Sequence, residues 1–63
     1  MSHENYLFYC LDSAGRLHEA AWFEAEDDED AVAQIEAKHQ DATCEIWQGR
    51  RLVAKLSPRR LQA

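Results

Sequence analysis

The stretch YLFYCL, residues 6–11, decides the fold of this chain. Its six apolar or aromatic residues follow one another without the polar alternation that a half-exposed strand shows. Such a run is typical of a strand that is covered on both faces, and therefore of a central strand in its sheet. The remaining elements must place this strand between two neighbours.

A turn and a second strand follow directly. Asp12 and Gly15 suit the first and fourth positions of a type I turn, with Gly15 at positive φ as a bulge residue. The segment LHEAAWFEA, Leu17–Ala25, is then the returning strand of a hairpin. The first two strands are therefore predicted to be antiparallel neighbours.

If Asp12 pairs with Arg16 at the turn, the hairpin register follows. Counting back from the turn places Cys10 opposite His18 and Tyr6 opposite Trp22. A slip of one residue would move the side chains of one strand to the other face of the sheet. The register therefore decides which aromatic residues face outward.

The acidic segment EAEDDED, Glu24–Asp30, predicts the start of a helix that continues to about His39. Asp27 or Asp28 can cap this helix, and carboxylates in the first turn interact favourably with the exposed backbone N–H groups. Apolar positions at helical spacing are Ala31, Val32, Ile35 and His39. Because the helix is short and only weakly apolar, it has to pack against a sheet.

Two further strands, Thr43–Trp47 and Arg51–Leu56, complete the domain. In the last strand Leu52, Ala54 and Leu56 share one side if the alternation is regular. A right-handed crossover through the helix places the third strand beside the first. We therefore predict an α+β fold, a single four-stranded antiparallel sheet (β-β-α-β-β, order 2-1-3-4) with one helix on one face.

Length and composition bound the class of protein. The chain forms one small domain, residues 1–63, with an ordered core at about 5–57 and a loose tail at 58–63. No apolar stretch approaches the ~20 residues that span a bilayer, and the polar residues 1–5 do not resemble a signal peptide. Two cysteines are too few for a disulfide scaffold. These features predict a cytoplasmic protein with no membrane segment.

One helix covers one face of such a sheet, yet the first strand carries apolar side chains toward both faces. A chain of this size buries only about 60% of its unfolded surface, and monomers rarely expose a large apolar patch. We therefore predict a homodimer that packs sheet face on sheet face, with another protein as the other possible occupant. The predicted interface residues are Phe8, Tyr9, Trp22, Trp47, Arg50 and Arg51.

The sequence contains no complete motif of a metal-binding or catalytic site. The acidic run lacks the D-x-D-x-D-G spacing of a calcium loop, and no C-x-x-C or H-x-x-x-H pairing suggests zinc. Cys10 opposite His18 is the one nucleophile–base pair, and it has no third orienting group. Cys10 and Cys44 are predicted to be small buried apolar side chains. The sequence thus predicts no catalytic residue, no metal site and no cofactor.

The charge distribution supports an alternative function. Residues 1–49 carry a net charge of about −10, whereas residues 50–63 carry about +5. The basic residues of this C-terminal hairpin and tail are Arg50, Arg51, Lys55, Arg59 and Arg60. They suggest a binder of nucleic acid or of another anionic ligand, although the acidic remainder repels phosphate and makes nucleic acid an unfavoured partner. The same residues can instead pair with the acidic run, within one chain or across a dimer.

Four segments together resemble a known group of proteins. They are the aromatic strand Tyr6–Leu11, the D-x-x-G-R turn Asp12–Arg16, the acidic helix start Glu26–Asp30 and the E-I-W-x-x-x-R-L-V segment Glu45–Val53. With these segments the chain resembles small alphaproteobacterial β-β-α-β-β proteins of unknown function. The resemblance implies a bacterial, cytoplasmic, single-domain protein and carries no activity with it.

Overall fold

The structure, a computed structural model, describes residues 3–40 and 42–57. Its elements are β1 (Glu4–Leu11), β2 (Leu17–Ala25), α1 (Asp28–Lys38), β3 (Thr43–Gln48) and β4 (Arg51–Leu56). The four strands form one antiparallel sheet of order β2-β1-β3-β4. The predicted α+β fold and the central position of β1 are confirmed. The tail that we predicted to be loose, residues 58–63, lies outside the described residues.

The turn between β1 and β2 closes as predicted. Gly15 has a φ of 82°, and its N–H donates to the Asp12 carbonyl at 2.9 Å. The Asp12 N–H donates to the Arg16 carbonyl at 2.8 Å, while the Asp12 carboxylate accepts from the backbone N–H groups of Ala14 and Arg16. Asp12 therefore holds both ends of the turn, and the left-handed position is occupied by the residue that adopts it most easily.

The hairpin register differs from the prediction because β2 contains a bulge. Cys10 pairs with Glu19, so that His18 is the extra residue of the bulge. Tyr6 consequently pairs with Phe23. The predicted pairings of these two β1 residues are wrong by one position. A bulge adds one residue to one strand only, which shifts all pairs beyond it.

The helix begins where the acidic run predicts. Asp27 is the N-cap residue, and its carboxylate accepts from the Asp30 N–H at 2.8 Å. The Asp30 carboxylate in turn accepts from the Glu26 N–H at 3.0 Å. The first bond satisfies a backbone donor that the first turn of a helix leaves without a partner, and the second ties the residue before the N-cap to that turn.

The core lies between α1 and one face of the sheet. The buried residues are Tyr6, Phe8, Cys10, Ala25, Ala31, Ile35, Cys44 and Ile46. Ile35 is the one large side chain that α1 buries fully, and Val32 packs against the same cluster. The His39 ring lies against Phe8 with 5.3 Å between the ring centres. The predicted apolar stripe of the helix is confirmed.

Cys10 and Cys44 form a disulfide within this core. The two residues are directly opposite each other on the central strands β1 and β3, and both are fully buried. The prediction that they are merely small apolar side chains is therefore wrong. The bond joins the two strands whose pairing depends on the long connection through α1.

A second bulge interrupts the alternation of β4. Ala54 pairs with Ile46, but Leu52 pairs with Trp47, so that Val53 is the extra residue. Ala54 packs against the core, whereas Leu52 remains 47% exposed. The prediction that these two β4 residues share one side is wrong because the extra residue turns Leu52 to the other face.

Candidate interaction surface

The face of the sheet opposite α1, which we call the open face, is not covered by any element within residues 3–40 and 42–57. Its membership follows from the strand pairings, because side chains opposite each other on neighbouring strands lie on the same face. The residues of the open face are Asn5, Leu7, Tyr9, Leu11, Leu17, Ala20, Trp22, Glu24, Thr43, Glu45, Trp47, Leu52 and Lys55.

Three of the aromatic residues predicted for an interface lie together on the open face. They are Tyr9, Trp22 and Trp47. Phe8, the fourth, is only 4% exposed and packs in the core with Phe23. Successive side chains of a strand point to opposite faces, so Phe8 and Tyr9 cannot both be outward. Phe8 is therefore excluded from the candidate surface.

A continuous line of apolar side chains crosses the whole open face. Trp22, Leu7, Trp47 and Leu52 occupy successive strands, and each is the direct partner of the next. We call these four residues the apolar row. Its outer members, Trp22 and Leu52, are 68% and 47% exposed. Sequence reasoning did not assign Leu52 to this face, because only the bulge at Val53 reveals its direction.

A polar side chain next to the apolar row holds two aromatic residues of the open face in position. The Glu45 carboxylate accepts from the Tyr9 hydroxyl at 2.5 Å and from the Trp47 indole N–H at 3.1 Å. These bonds hold the pKa of Glu45 below its usual range, and the bond to Glu45 raises the pKa of Tyr9. Lys55 is the cross-strand partner of Glu45. Two large aromatic side chains are thus oriented before any partner arrives, which reduces the entropy lost on binding.

The basic residues of the hairpin do not share one environment. Arg51 donates two hydrogen bonds to the Asp28 carboxylate, at 2.8 and 3.1 Å, and a third to the side-chain oxygen of Gln48. The predicted pairing between basic residues and the acidic run thus occurs within one chain. Arg50, at the tip of the hairpin, is exposed and has no hydrogen bond or ion pair with the part of the chain that the structure describes.

Asp28 joins the helix start to two strands. Besides Arg51 it accepts from the hydroxyl of the buried Tyr6 at 2.9 Å. The bonds from Arg51 and Tyr6 lower the pKa of Asp28, while burial and the bond to Asp28 raise the pKa of Tyr6 to about 12. Carboxylates of the acidic run therefore serve the fold, one as the helix cap and one as the partner of Arg51.

We expect this arrangement to make the protein sensitive to acid. The folded-state pKa of Asp28 lies below its ordinary value of 3.8, so its contribution to stability is present above that pH. The contribution disappears as the pH falls through the folded-state pKa. Asp28→Asn should lower the urea midpoint at pH 7 and should flatten the further decline between pH 5 and about 2.

Glu29→Gln provides the matched control for this prediction. Glu29 lies in the same helical turn and is exposed, and its side chain makes no hydrogen bond with residues 3–40 or 42–57. Its replacement removes the same charge without removing a partner of Arg51. Identical acid profiles for the two variants would show that general charge, rather than the Asp28 contacts, determines the acid response.

The structure separates Cys10 and His18, the residues considered as a catalytic pair. The thiols of Cys10 and Cys44 are consumed by the disulfide, and His18 is displaced from Cys10 by the bulge. His18 and His39 border an open groove of about 400 Å³ near the first hairpin turn, together with Ser13. Residues 3–40 and 42–57 contain no group of three or more potential metal ligands. The predicted pair of Cys10 and His18 is therefore not formed as a nucleophile and its base.

Comparisons with known proteins identify no relative of this chain. No protein-family model, no curated protein and no solved structure matches the chain. The resemblance to small alphaproteobacterial proteins therefore stays a prediction. Within the described residues, no helix has the length and apolar character needed to cross a membrane.

Proposed function

We propose that this chain is a small non-enzymatic protein-interaction module that works as a homodimer joined through its open face. The observation that carries the proposal is the apolar row, which crosses all four strands and leaves Trp22 68% exposed. Contiguous exposed apolar residues of this kind are typical of interfaces. Tryptophan and tyrosine also dominate the binding energy of protein interfaces.

Two sheets that pack face to face can bury such a row completely. Packed sheets lie about 10 Å apart, and their inner side chains interdigitate to form a common core. The open face provides aromatic anchors at its centre and polar groups beside them, Glu45 and Lys55 among them. A second copy would convert this face into the second core that a domain of 63 residues lacks.

The basic hairpin supports the alternative, a binder of anionic ligands, less well. Arg51 is held by Asp28 in a two-bond ion pair and would have to leave it to contact a phosphate. Arg50 and Lys55 remain exposed on the hairpin. Arg59 and Arg60 lie outside the described residues. No contact of the described chain therefore favours this function over the interaction module.

A matched pair of substitutions on β2 tests the proposal. Ala20 and Ala21 are both exposed neighbours, but Ala20 pairs with Tyr9 on the open face and Ala21 pairs with Phe8 on the other. We expect light scattering on a sizing column, over a hundredfold range of concentration, to give the mass of two chains. Ala20→Glu should weaken the dimer at least about tenfold, because it places a charge in an apolar interface. Ala21→Glu should leave the dimer unchanged.

Two results would contradict the proposal. A wild-type mass of one chain at all concentrations would remove the homodimer and would leave the open face for another protein. Equal weakening by Ala20→Glu and Ala21→Glu would place the contact elsewhere on β2. Both variants must keep the wild-type urea midpoint at low protein concentration for this comparison to hold.

The compartment is a separate part of the proposal. The sequence features predict the cytoplasm, where thiols are kept reduced, whereas a Cys10–Cys44 disulfide is the kind of bond that persists in oxidising compartments. Quenching cells directly in acid and then alkylating free thiols in denaturant, which exposes the buried Cys10 and Cys44, decides between them. Alkylated cysteines support the cytoplasm, and cysteines that react only after reduction support an oxidising compartment.

A further inference from the structure

The order of residues in the apolar row carries an inference about how two copies meet. It rests on the proposed face-to-face dimer. From one edge of the sheet to the other the row reads Trp22, Leu7, Trp47, Leu52, a regular alternation of large and smaller side chains. We propose that the two-fold axis of the dimer runs parallel to the strands, between β1 and β3. Trp22 then packs on the partner's Leu52, and Trp47 on the partner's Leu7.

When two copies of the row run in opposite directions, each large side chain meets a smaller one. A rotation about an axis along the strands places β2 over β4 of the second copy, and β1 over β3. A row that reads large, small, large, small then meets one that reads small, large, small, large. Each tryptophan faces a leucine, so that the side chains interdigitate without voids or collisions.

A symmetric arrangement with the axis at right angles to the strands lacks this property. An axis along the row, at right angles to the strands, also brings the two open faces together. It places each tryptophan on its own copy and each leucine on its own copy. Pairs of large side chains would then hold the sheets apart, and pairs of leucines would leave gaps between them.

The neighbouring line of residues agrees with the first axis. It consists of Ala20, Tyr9, Glu45 and Lys55 on the same four strands. The same rotation places Lys55 over the partner's Ala20, the smallest side chain of the line. It also places Tyr9, which already donates to its own Glu45, over the partner's Glu45. No like charges of this line face each other across the dimer.

Exchanging the two outer residues of the row tests the axis. Trp22 and Leu52 lie on the two edge strands, three strand spacings or about 14 Å apart, too far to interact within one chain. Trp22→Leu should leave a gap and Leu52→Trp a collision, each weakening the dimer about tenfold. The double variant restores a tryptophan opposite a leucine, so its dissociation constant should return to within about threefold of the wild-type value.

The possible results distinguish a wrong axis from the absence of a dimer. If the two effects are additive, the dissociation constant of the double variant rises about a hundredfold. This result would contradict the proposed axis but not the dimer. A wild-type chain that stays monomeric would overturn both proposals. If a single variant no longer dimerises measurably, the double variant decides alone, because its dimerisation supports the axis and its failure overturns it. Both positions are exposed in the monomer, so wild-type urea midpoints at low protein concentration confirm that each variant folds.

Discussion

Reduction of the Cys10–Cys44 disulfide should lower the free energy of unfolding by about 4 kcal/mol. The bond links residues that are 34 apart in sequence, and opening a loop of this length releases a corresponding amount of unfolded-chain entropy. A domain of 63 residues has a total stability of roughly 3–9 kcal/mol. The reduced protein is therefore expected to be close to its unfolding threshold at 25 °C.

Urea unfolding with and without a reductant measures this effect. The double variant Cys10→Ala/Cys44→Ala should behave like the reduced wild type, because alanine also tolerates burial in the core. The reductant should leave the double variant unchanged, which is the control for effects of the reagent. A wild-type urea midpoint that does not respond to reductant would show that the disulfide adds nothing to stability.

Ile35→Ala should cost about 3 kcal/mol of unfolding free energy, the second largest effect that we expect. Ile35 is 1% exposed and is the one large side chain that α1 buries fully against the sheet. Its truncation removes apolar contact and leaves a cavity between helix and sheet. The helix is eleven residues long and would be marginal on its own, so it depends on this contact.

Val32→Ala is the matched control for that substitution. Val32 lies on the same side of α1 but is only half-buried, so its truncation should cost about 1 kcal/mol. Urea unfolding followed by far-ultraviolet circular dichroism reports on both variants. Equal costs for the two substitutions would mean that Ile35 does not anchor the helix as its burial indicates.

The topology could be predicted from the sequence because local signals agreed with one another. The apolar run at 6–11 required a central strand, and a right-handed crossover through the helix placed β1 between two neighbours. Gly15 and Asp27 marked the hairpin turn and the helix start at the positions that the structure shows. Such signals act over a few residues and are therefore readable from one sequence.

The register could not be predicted, because two single-residue bulges shift it. No residue type marks His18 or Val53 as the extra member of its strand, and each bulge changes the face of its neighbours. This is why the prediction that Leu52 shares a side with Ala54 was wrong. The disulfide was missed for a related reason, since the pairing of β1 with β3 depends on tertiary packing across the helical connection.

The candidate surface was only partly readable from the sequence. The excess of aromatic residues indicated that some would remain outside, and Tyr9, Trp22 and Trp47 do lie on the open face. Phe8 could not be separated from Tyr9 without the register, because adjacent residues of a strand occupy opposite faces. Arg51 could equally have paired within the chain or across a dimer, and only the structure places it on Asp28.

The two bulges lie on the two edge strands of the sheet, His18 on β2 and Val53 on β4. An edge strand offers free backbone groups to which another chain can add, and repeated addition produces an open-ended ribbon of strands. A bulge interrupts the regular spacing of those groups and twists the edge away from a straight partner. Growth within the plane of the sheet is thereby opposed at both ends. The proposed dimer through the open face runs perpendicular to that plane instead, and a two-fold contact of that kind closes after two copies.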